Sequence, residues 1–202
     1  MIKMNSNPLR ARPTGLILAG GESRRFFGEE KGLVEFHGQP MVAHVARVFD
    51  GQVERLLISA NRCQHQYQRY ADEVIDDQIG ESWGPLAGIY TGLCMASTDW
   101  LLVATCDQPL LPLDYAARMI DKFDGKAVLM ATDLKRDHFL NLLLPTSAVT
   151  FLRDYLLNGG RRVQSWLKQV GYKKMEFPPD CLNSINSPAA LLRTESERKS
   201  AS

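Results

Sequence analysis

The 202-residue sequence predicts an α/β fold with a mostly parallel central sheet, and three observations carry that reading. Short apolar runs alternate along the chain with stretches whose apolar residues recur at helical spacing, the pattern of strands joined by crossover helices. One run, residues 100–105 (WLLVAT), is almost continuously apolar, as in a strand covered on both faces. Residues suited to chemistry follow three of the runs: a glycine-rich cationic loop after Ala19, then Ser59-Ala60-Asn61, then Cys106-Asp107. Ligands of open α/β sheets bind where such loops gather, at the carboxyl ends of the strands.

Composition narrows the function classes. The chain is 45% hydrophobic and 23% charged with a formal net charge of +1, which suits one sizeable core and a single domain. Near-neutral charge argues against a nucleic-acid partner held through a global basic field. No stretch approaches the ~18 apolar residues of a membrane span. The apolar run near the N-terminus is too short for a signal-peptide core, so the cytoplasm is the expected location. Cys63, Cys94, Cys106 and Cys181 are far apart and form no CxxC pair, as expected of free thiols in a reducing compartment.

In chain order, residues 1–13 are polar, basic and interrupted by proline, and are read as a loosely held arm. Residues 16–19 form the first buried strand. Residues 33–36 alternate like a short strand, His37-Gly38-Gln39-Pro40 reads as a turn, and Pro40 can open a helix over residues 41–49. Residues 55–60 (RLLISA) read as a second buried strand, residues 64–70 as a polar helix, and Val74-Ile75 as a brief strand stopped by Asp76-Asp77. After a polar loop, Pro85 starts a helix whose Gly88 and Gly92 permit close approach. The central strand at 100–105 is followed by a helix over 113–123 and a strand over 127–132. Residues 139–144 can pair with that strand as a hairpin across Asp133-Leu134-Lys135-Arg136. Residues 148–157 and 162–170 read as helices broken at Asn158-Gly159-Gly160, and residues 172–177 as a late strand. One domain over residues 14–193 and a charged, frayed tail over 194–202 complete the division.

The loop after the first strand carries Gly20, Gly21, Ser23, Arg24, Arg25, Gly28 and Lys31. Glycine lets main-chain N–H groups approach an anion, and arginine and lysine neutralise its charge. Neither GxxxxGK[ST] nor GxGxxG is present, so the loop suggests a nucleotide without suggesting a P-loop ATPase or a dinucleotide dehydrogenase. Asp107 could hold a magnesium ion that bridges phosphates, or cap the helix after Pro109. Asp77, after another strand, carries the same ambiguity. Lys31 could fold back on phosphates or remain a solvated lysine among Glu29 and Glu30. Arg161-Arg162 could hold a second anionic group or form a solvated helix start. No pair of histidines has metal-ligand spacing, and Ser23 has no local partner for triad chemistry.

The sequence resembles the molybdenum cofactor guanylyltransferases (the MobA family) from Gly15 to about Leu191. The motifs that carry the resemblance are Leu18-Ala19-Gly20-Gly21 with Arg24-Arg25 and Lys31-Gly32; Ala60-Asn61-Arg62; Asp77; Gly84-Pro85-Leu86-Ala87-Gly88; Cys106-Asp107-Gln108-Pro109; Arg136-Asp137-His138; Arg161-Arg162-Val163; and Asn186-Ser187-Pro188. The resemblance implies a three-layer α/β/α Rossmann-like nucleotidyltransferase fold. It implies transfer of GMP from Mg-GTP to the terminal phosphate of molybdopterin, or its molybdenum-loaded form, with release of pyrophosphate. It further implies that Leu18, Ala19 and Gly20 hold the guanine nucleotide through main chain. Gly21, Arg25 and Lys31 would serve the phosphates, and Ser59, Asn61 and Asp77 the nucleoside. Gly84 and Gly88 would border the GTP site, Asp107 would bind Mg2+ as well as GTP, and Arg162, Ser184 and Asn186 would face the pterin phosphate. Arg25, Lys31 and Asp107 would be the catalytic set. Molybdenum-insertion proteins and apo-molybdoenzymes are the protein partners so implied.

The chain departs from the family pattern with Phe26-Phe27 in place of Met-Gly, Glu30 in place of Asp before the lysine, and Ser59 and Ser184 where Asn is frequent. Phenylalanine resists positive φ, so the loop path near Phe27 is expected to differ. The alternatives to guanylyl transfer are a related nucleotidyltransferase that uses CTP or another phosphorylated acceptor, and a nucleotide-binding protein without turnover.

Overall fold

The computed structural model describes residues 12–20, 30–76 and 84–199. Most of the expected arm, Gly21, Arg25, the Phe26-Phe27 pair and Asp77 fall outside the described residues. The elements in chain order are β1 (Thr14–Leu18), a 3-10 turn (Lys31–Leu33), β2 (Glu35–Phe36), β3 (Gln39–Pro40), α1 (Met41–Phe49) and β4 (Arg55–Ser59). Then come α2 (Gln64–Tyr67), a 3-10 turn (Gln68–Tyr70), β5 (Glu73–Ile75), α3 (Pro85–Met95), β6 (Trp100–Thr105) and α4 (Tyr115–Lys122). The chain continues through β7 (Val128–Thr132), β8 (Asp137–Pro145), α5 (Ala148–Leu157), α6 (Val163–Val170), β9 (Tyr172–Glu176) and α7 (Pro188–Lys199).

Seven strands form one sheet in the order β5-β4-β1-β6-β8-β7-β9. All neighbours are parallel except β8, which runs antiparallel to both β6 and β7. This is the expected mostly parallel sheet, and β7–β8 is the expected hairpin. Alternation with period two places side chains on both faces. Ile17, Ile58, Leu102 and Ala104 pack with α1 and α4 on one side. Leu16, Leu18, Leu57, Leu101 and Val103 pack with α3, α5 and α6 on the other. Covered on both faces, the inner strands need apolar residues on either side, which is why residues 100–104 read as an unbroken run.

Close packing brings the helices down onto the strands. A Cβ on Gly92 of α3 would lie 2.6 Å from Leu16 Cδ2, so this helix approaches β1 as only glycine permits. Gly84 precedes α3 with φ +59°, a backbone conformation open to glycine, and Pro85 begins the helix.

Two local expectations change. Residues 33–36 do not form one strand: Leu33 belongs to the 3-10 turn, and only Glu35 and Phe36 pair, with Pro40 and Gln39. The two-residue loop between them has φ 49° at His37 and 76° at Gly38, both positive as a tight hairpin turn requires. Helix α7 also runs past the expected boundary at residue 193 to Lys199, through a segment rich in Glu, Arg and Lys, which are good helix formers.

Candidate active site

The parallel strands β1, β4 and β6 end on the same edge of the sheet, and their ladders continue into the loops beyond. Ala19 N donates to Ser59 O (2.8 Å), Ala60 N to Ile75 O (2.9 Å), and Cys106 N to Leu18 O (3.0 Å). Leu18, Ala19, Ser59 and Asp107 are thereby fixed as neighbours across three strand ends. Ser59 is buried, Asn61 exposed just past β4, and a Cβ added to Gly20 meets open space.

Asp107 is the centre of the site. Its Oδ1 accepts the Thr105 hydroxyl at 2.6 Å, and its Oδ2 accepts from the Lys31 ammonium in an ion pair. It does not cap the following helix, because the N-cap position of α4 is Asp114. Lys31 is not a solvated lysine either. Its side chain is 22% exposed and that of Asp107 13%, and Lys31 also donates to Asn186 Oδ1. Ile185 N donates to Asp107 O at 2.9 Å, so the loop that carries Ser184 and Asn186 is stitched directly to the end of β6.

The approach of Lys31 depends on its neighbours. A Cβ on Gly32 would lie 2.8 Å from Tyr67 Oη and 3.0 Å from Cys106 Cβ, so the turn presses against α2 and the β6 end with no room for a side chain. Glu30 is buried, and its Oε1 takes Arg62 Nε at 2.7 Å. That pair anchors the start of the turn to the loop after β4, and the glutamate that replaces the usual aspartate has the reach to make it. Burial pushes the Cys106 thiol far up, and neighbouring Asp107 pushes the same way, so Cys106 is a packing residue and no nucleophile at neutral pH.

A cavity of about 370 Å³ opens beside this cluster, lined among others by Thr105, Gln108, His138, Asn141, Gln164 and Ser184. Its wall is rigid. The Gln108 and Asn141 side-chain amides exchange two hydrogen bonds of 2.9 Å, and Gln108 also donates to Leu182 O at 2.7 Å. His138 Nε2 lies 3.0 Å from Asp133 Oδ2. Burial alone would raise the Asp133 pKa, but His138 and the N–H groups of Lys135 and Arg136 overcome it and hold the carboxyl at about 2. Nε2 therefore carries the proton and donates to the carboxylate.

Arg162 is the N-cap of α6, one residue before Val163, which lines the same cavity. Arg161 is used differently: its guanidinium donates to Leu156 O (2.8 Å) and Gly160 O (2.6 Å) and closes the end of α5. Gly84 and Gly88 lie at the start of α3, with Gly88 buried in the helix. A larger cavity, about 510 Å³, sits at the opposite end of the sheet between α1 and the start of β4, and none of the residues singled out from sequence lines it. Gln108, Asn141, Asp133 and His138 were not singled out as site residues from sequence. Gln108 and His138 stood in the quoted motifs, whereas the pairing of Gln108 with Asn141 spans 33 positions and leaves no local pattern.

Among the described residues no helix is long and apolar enough to cross a membrane, and no cluster of three or more His, Cys, Asp or Glu side chains is arranged to hold a metal ion. Comparison with known proteins agrees with the fold and the resemblance. Solved structures of a nucleotidyl transferase from Methanothermobacter thermautotroptrophicus (TM-score 0.74, 19% identity, 94% of this chain and 98% of that one) share the fold. So does a molybdopterin-guanine dinucleotide biosynthesis protein A from Archaeoglobus fulgidus (TM-score 0.70, 21% identity, 93% of this chain and 99% of that one). A molybdenum cofactor guanylyltransferase from Yersinia pseudotuberculosis serotype O:1b (strain IP 31758) is 38% identical over 188 residues, 92% of this chain and 96% of the relative. The MobA-like NTP transferase domain family matches residues 15–174. Matched by that family over residues 15–174 and by that relative over 92% of its length, the chain is a nucleotidyltransferase and belongs to the molybdenum cofactor guanylyltransferase family.

Proposed function

We propose that the chain transfers GMP from GTP to the terminal phosphate of molybdopterin, or of its molybdenum-loaded form, and releases pyrophosphate. The observation that carries this reading is the meeting of Lys31, Asp107 and Asn186, at a seam between the strand ends and the cavity of about 370 Å³ that Thr105 and Ser184 line. A donor nucleotide on one side and an acceptor on the other would bring their phosphates together at that seam.

On the donor side, the carbonyl oxygens of Leu18 and Ala19 suit the N1–H and 2-amino donors of guanine. A carbonyl has two lone pairs, so Leu18 O can serve both Cys106 and a base. Adenine lacks those donors, and carbonyls left unpaired would disfavour it. Gly20 and Gly21 let the main chain approach the nucleotide, Gly84 and Gly88 border it, and Ser59, Asn61 and Asp77 serve the nucleoside. Arg25 and Lys31 neutralise the phosphates. On the acceptor side, Arg162, Ser184 and Asn186 receive the pterin phosphate, helped by the N–H groups at the start of α6.

The donor set fits a hard divalent cation. Asp107 is a single carboxylate held in place by Thr105, and Mg2+ takes one or two carboxylates and fills its remaining positions with phosphate oxygens and water. When bound, such an ion neutralises charge at the α-phosphate and on the departing pyrophosphate. The protein itself positions and neutralises. An acceptor phosphate oxygen attacks the α-phosphorus, the bond to the β-phosphate oxygen breaks, and Lys31 and Arg25 hold the leaving pyrophosphate. The attacking oxygen is already anionic, so no general base is required. The free state of all four cysteines supports a reducing, cytoplasmic setting. Molybdenum-insertion proteins and apo-molybdoenzymes are the protein partners the role implies.

The test is product analysis with GTP labelled at the α-phosphate. Label incorporated into a molybdopterin dinucleotide is the expected result. Faster incorporation from CTP would move the assignment to a cytidylyltransferase, and tight nucleotide binding without incorporation would leave a binding protein.

A further inference from the structure

Lys31 stands at once on the acid expected to hold the metal and on an amide expected to face the acceptor, and that double attachment has consequences for how the ligands enter. Both oxygens of Asp107 are engaged, Oδ1 by the Thr105 hydroxyl and Oδ2 by the Lys31 ammonium. The ion pair is largely shielded, with the two side chains 22% and 13% exposed, so its attraction is screened less than that of a surface pair. The Asn186 amide is likewise engaged on both sides: Oδ1 accepts from Lys31, and Nδ2 donates to Ser184 O at 3.2 Å. The loop itself stays attached through Ile185 N and Asp107 O whatever the side chains do.

We propose that Lys31 is a latch on Asp107, opened by a metal ion that arrives with a triphosphate. Its ammonium neutralises Asp107 and holds Asn186. A divalent cation that arrives alone must then displace a like charge and would gain, among the described residues, a single carboxylate in return. A cation that arrives with a triphosphate brings oxygens that give Lys31 a new partner, and Asp107 is released to the metal in the same exchange. The exchange also releases Asn186 Oδ1, while Asn186 Nδ2 keeps its bond to Ser184 O. Metal and nucleotide therefore bind cooperatively. The inference rests on the nucleotidyltransferase reading of this site, but its core can be tested without any nucleotide.

The experiment is a Mn2+ titration of the full-length chain followed by the electron paramagnetic resonance signal of the free ion. Without nucleotide, Lys31→Met and Lys31→Gln are expected to bind Mn2+ at least ten-fold more tightly than the wild type. Lys31→Arg, which keeps the cation, is expected to stay near the wild-type value, and Asp107→Asn to lose the site. Addition of a GTP analogue with a methylene bridge between the α- and β-phosphates should raise wild-type Mn2+ affinity more than ten-fold and that of Lys31→Met far less. Thermal midpoints confirm that each variant is folded, and Lys31→Gln guards against a packing artefact of methionine. Equal nucleotide-free Mn2+ affinity in the wild type and both neutral variants would overturn the latch, whatever the turnover with GTP. Tighter binding in both neutral variants would support it even if labelled GTP gave no product, an outcome that would remove the guanylyl-transfer reading alone.

Discussion

Replacing Gly32 with alanine tests how the site is held, because the residue carries no chemistry of its own. The backbone at Gly32 is outside the left-handed region, so alanine can adopt it and stabilises by about 0.4–1 kcal/mol through the unfolded chain. The added methyl carbon would, however, lie 2.8 Å from Tyr67 Oη, 3.0 Å from Cys106 Cβ and 3.1 Å from Cys106 Sγ. Two of the three atoms belong to the residue that follows the central strand, where the sheet resists displacement, and overpacking of this kind costs about 1–3 kcal/mol. The net expectation is a loss of roughly 1–2 kcal/mol, or about 2–8 °C in thermal midpoint for a domain of this size. Relief comes by moving the Lys31–Leu33 turn outward, which carries the ammonium away from Asp107. A misplacement of about 1 Å can lower turnover ~100-fold, so kcat/KM should fall far more than stability does. Tyr67→Phe removes one clashing atom, and the double variant should recover part of both losses, with a coupling of about 0.5–3 kcal/mol. Calorimetry and steady-state rates on the two single variants and the double variant decide it. A Gly32→Ala protein with wild-type midpoint and rate, or strict additivity with Tyr67→Phe, would refute the packing argument.

Three further outcomes follow from the same site. Asp107→Asn keeps the shape and the bond from Thr105 but loses the charge, so metal-dependent turnover should drop by about 10²-fold or more while circular dichroism stays native; wild-type activity across a magnesium titration would contradict a metal role. Asn141→Ala leaves the buried Gln108 amide short of both its reciprocal bonds and should destabilise by about 1–3 kcal/mol in urea unfolding, with a raised KM for the acceptor but not for GTP. The Asp133 carboxyl is held at about 2, below its ordinary 3.8, so it contributes stability above pH 3.8 that is lost as pH falls toward 2. Asp133→Asn should accordingly be less stable at pH 7 and lose less on acidification through that window, as read from thermal midpoints at each pH.

The sheet was legible in the sequence because burial leaves a local trace. In residues 100–104, Leu101 and Val103 face one helical layer and Leu102 and Ala104 the other, so each of these positions had to be apolar. The tight turn at His37 and Gly38 was visible for a similar reason, since its residues favour positive φ. The geometry around Lys31 was not legible. A 3-10 turn in place of a strand is set by Gly32 pressing on Tyr67 and Cys106, residues 35 and 74 positions away, and no local periodicity encodes such a contact. The loop with Ser184 and Asn186 lacks any periodic signal, and the bond from Ile185 to Asp107, across 78 positions, brings it to the site. Those two residues were singled out only through the resemblance to a family. Composition and spacing were silent about them.

The most direct test of the guanylyl-transfer account is pyrophosphate release measured with each of GTP, CTP, ATP and UTP, with and without molybdopterin. Release is expected to require a divalent cation, to be fastest with GTP, and to depend on the acceptor. Release that is equally fast without molybdopterin, or fastest with CTP, would contradict it.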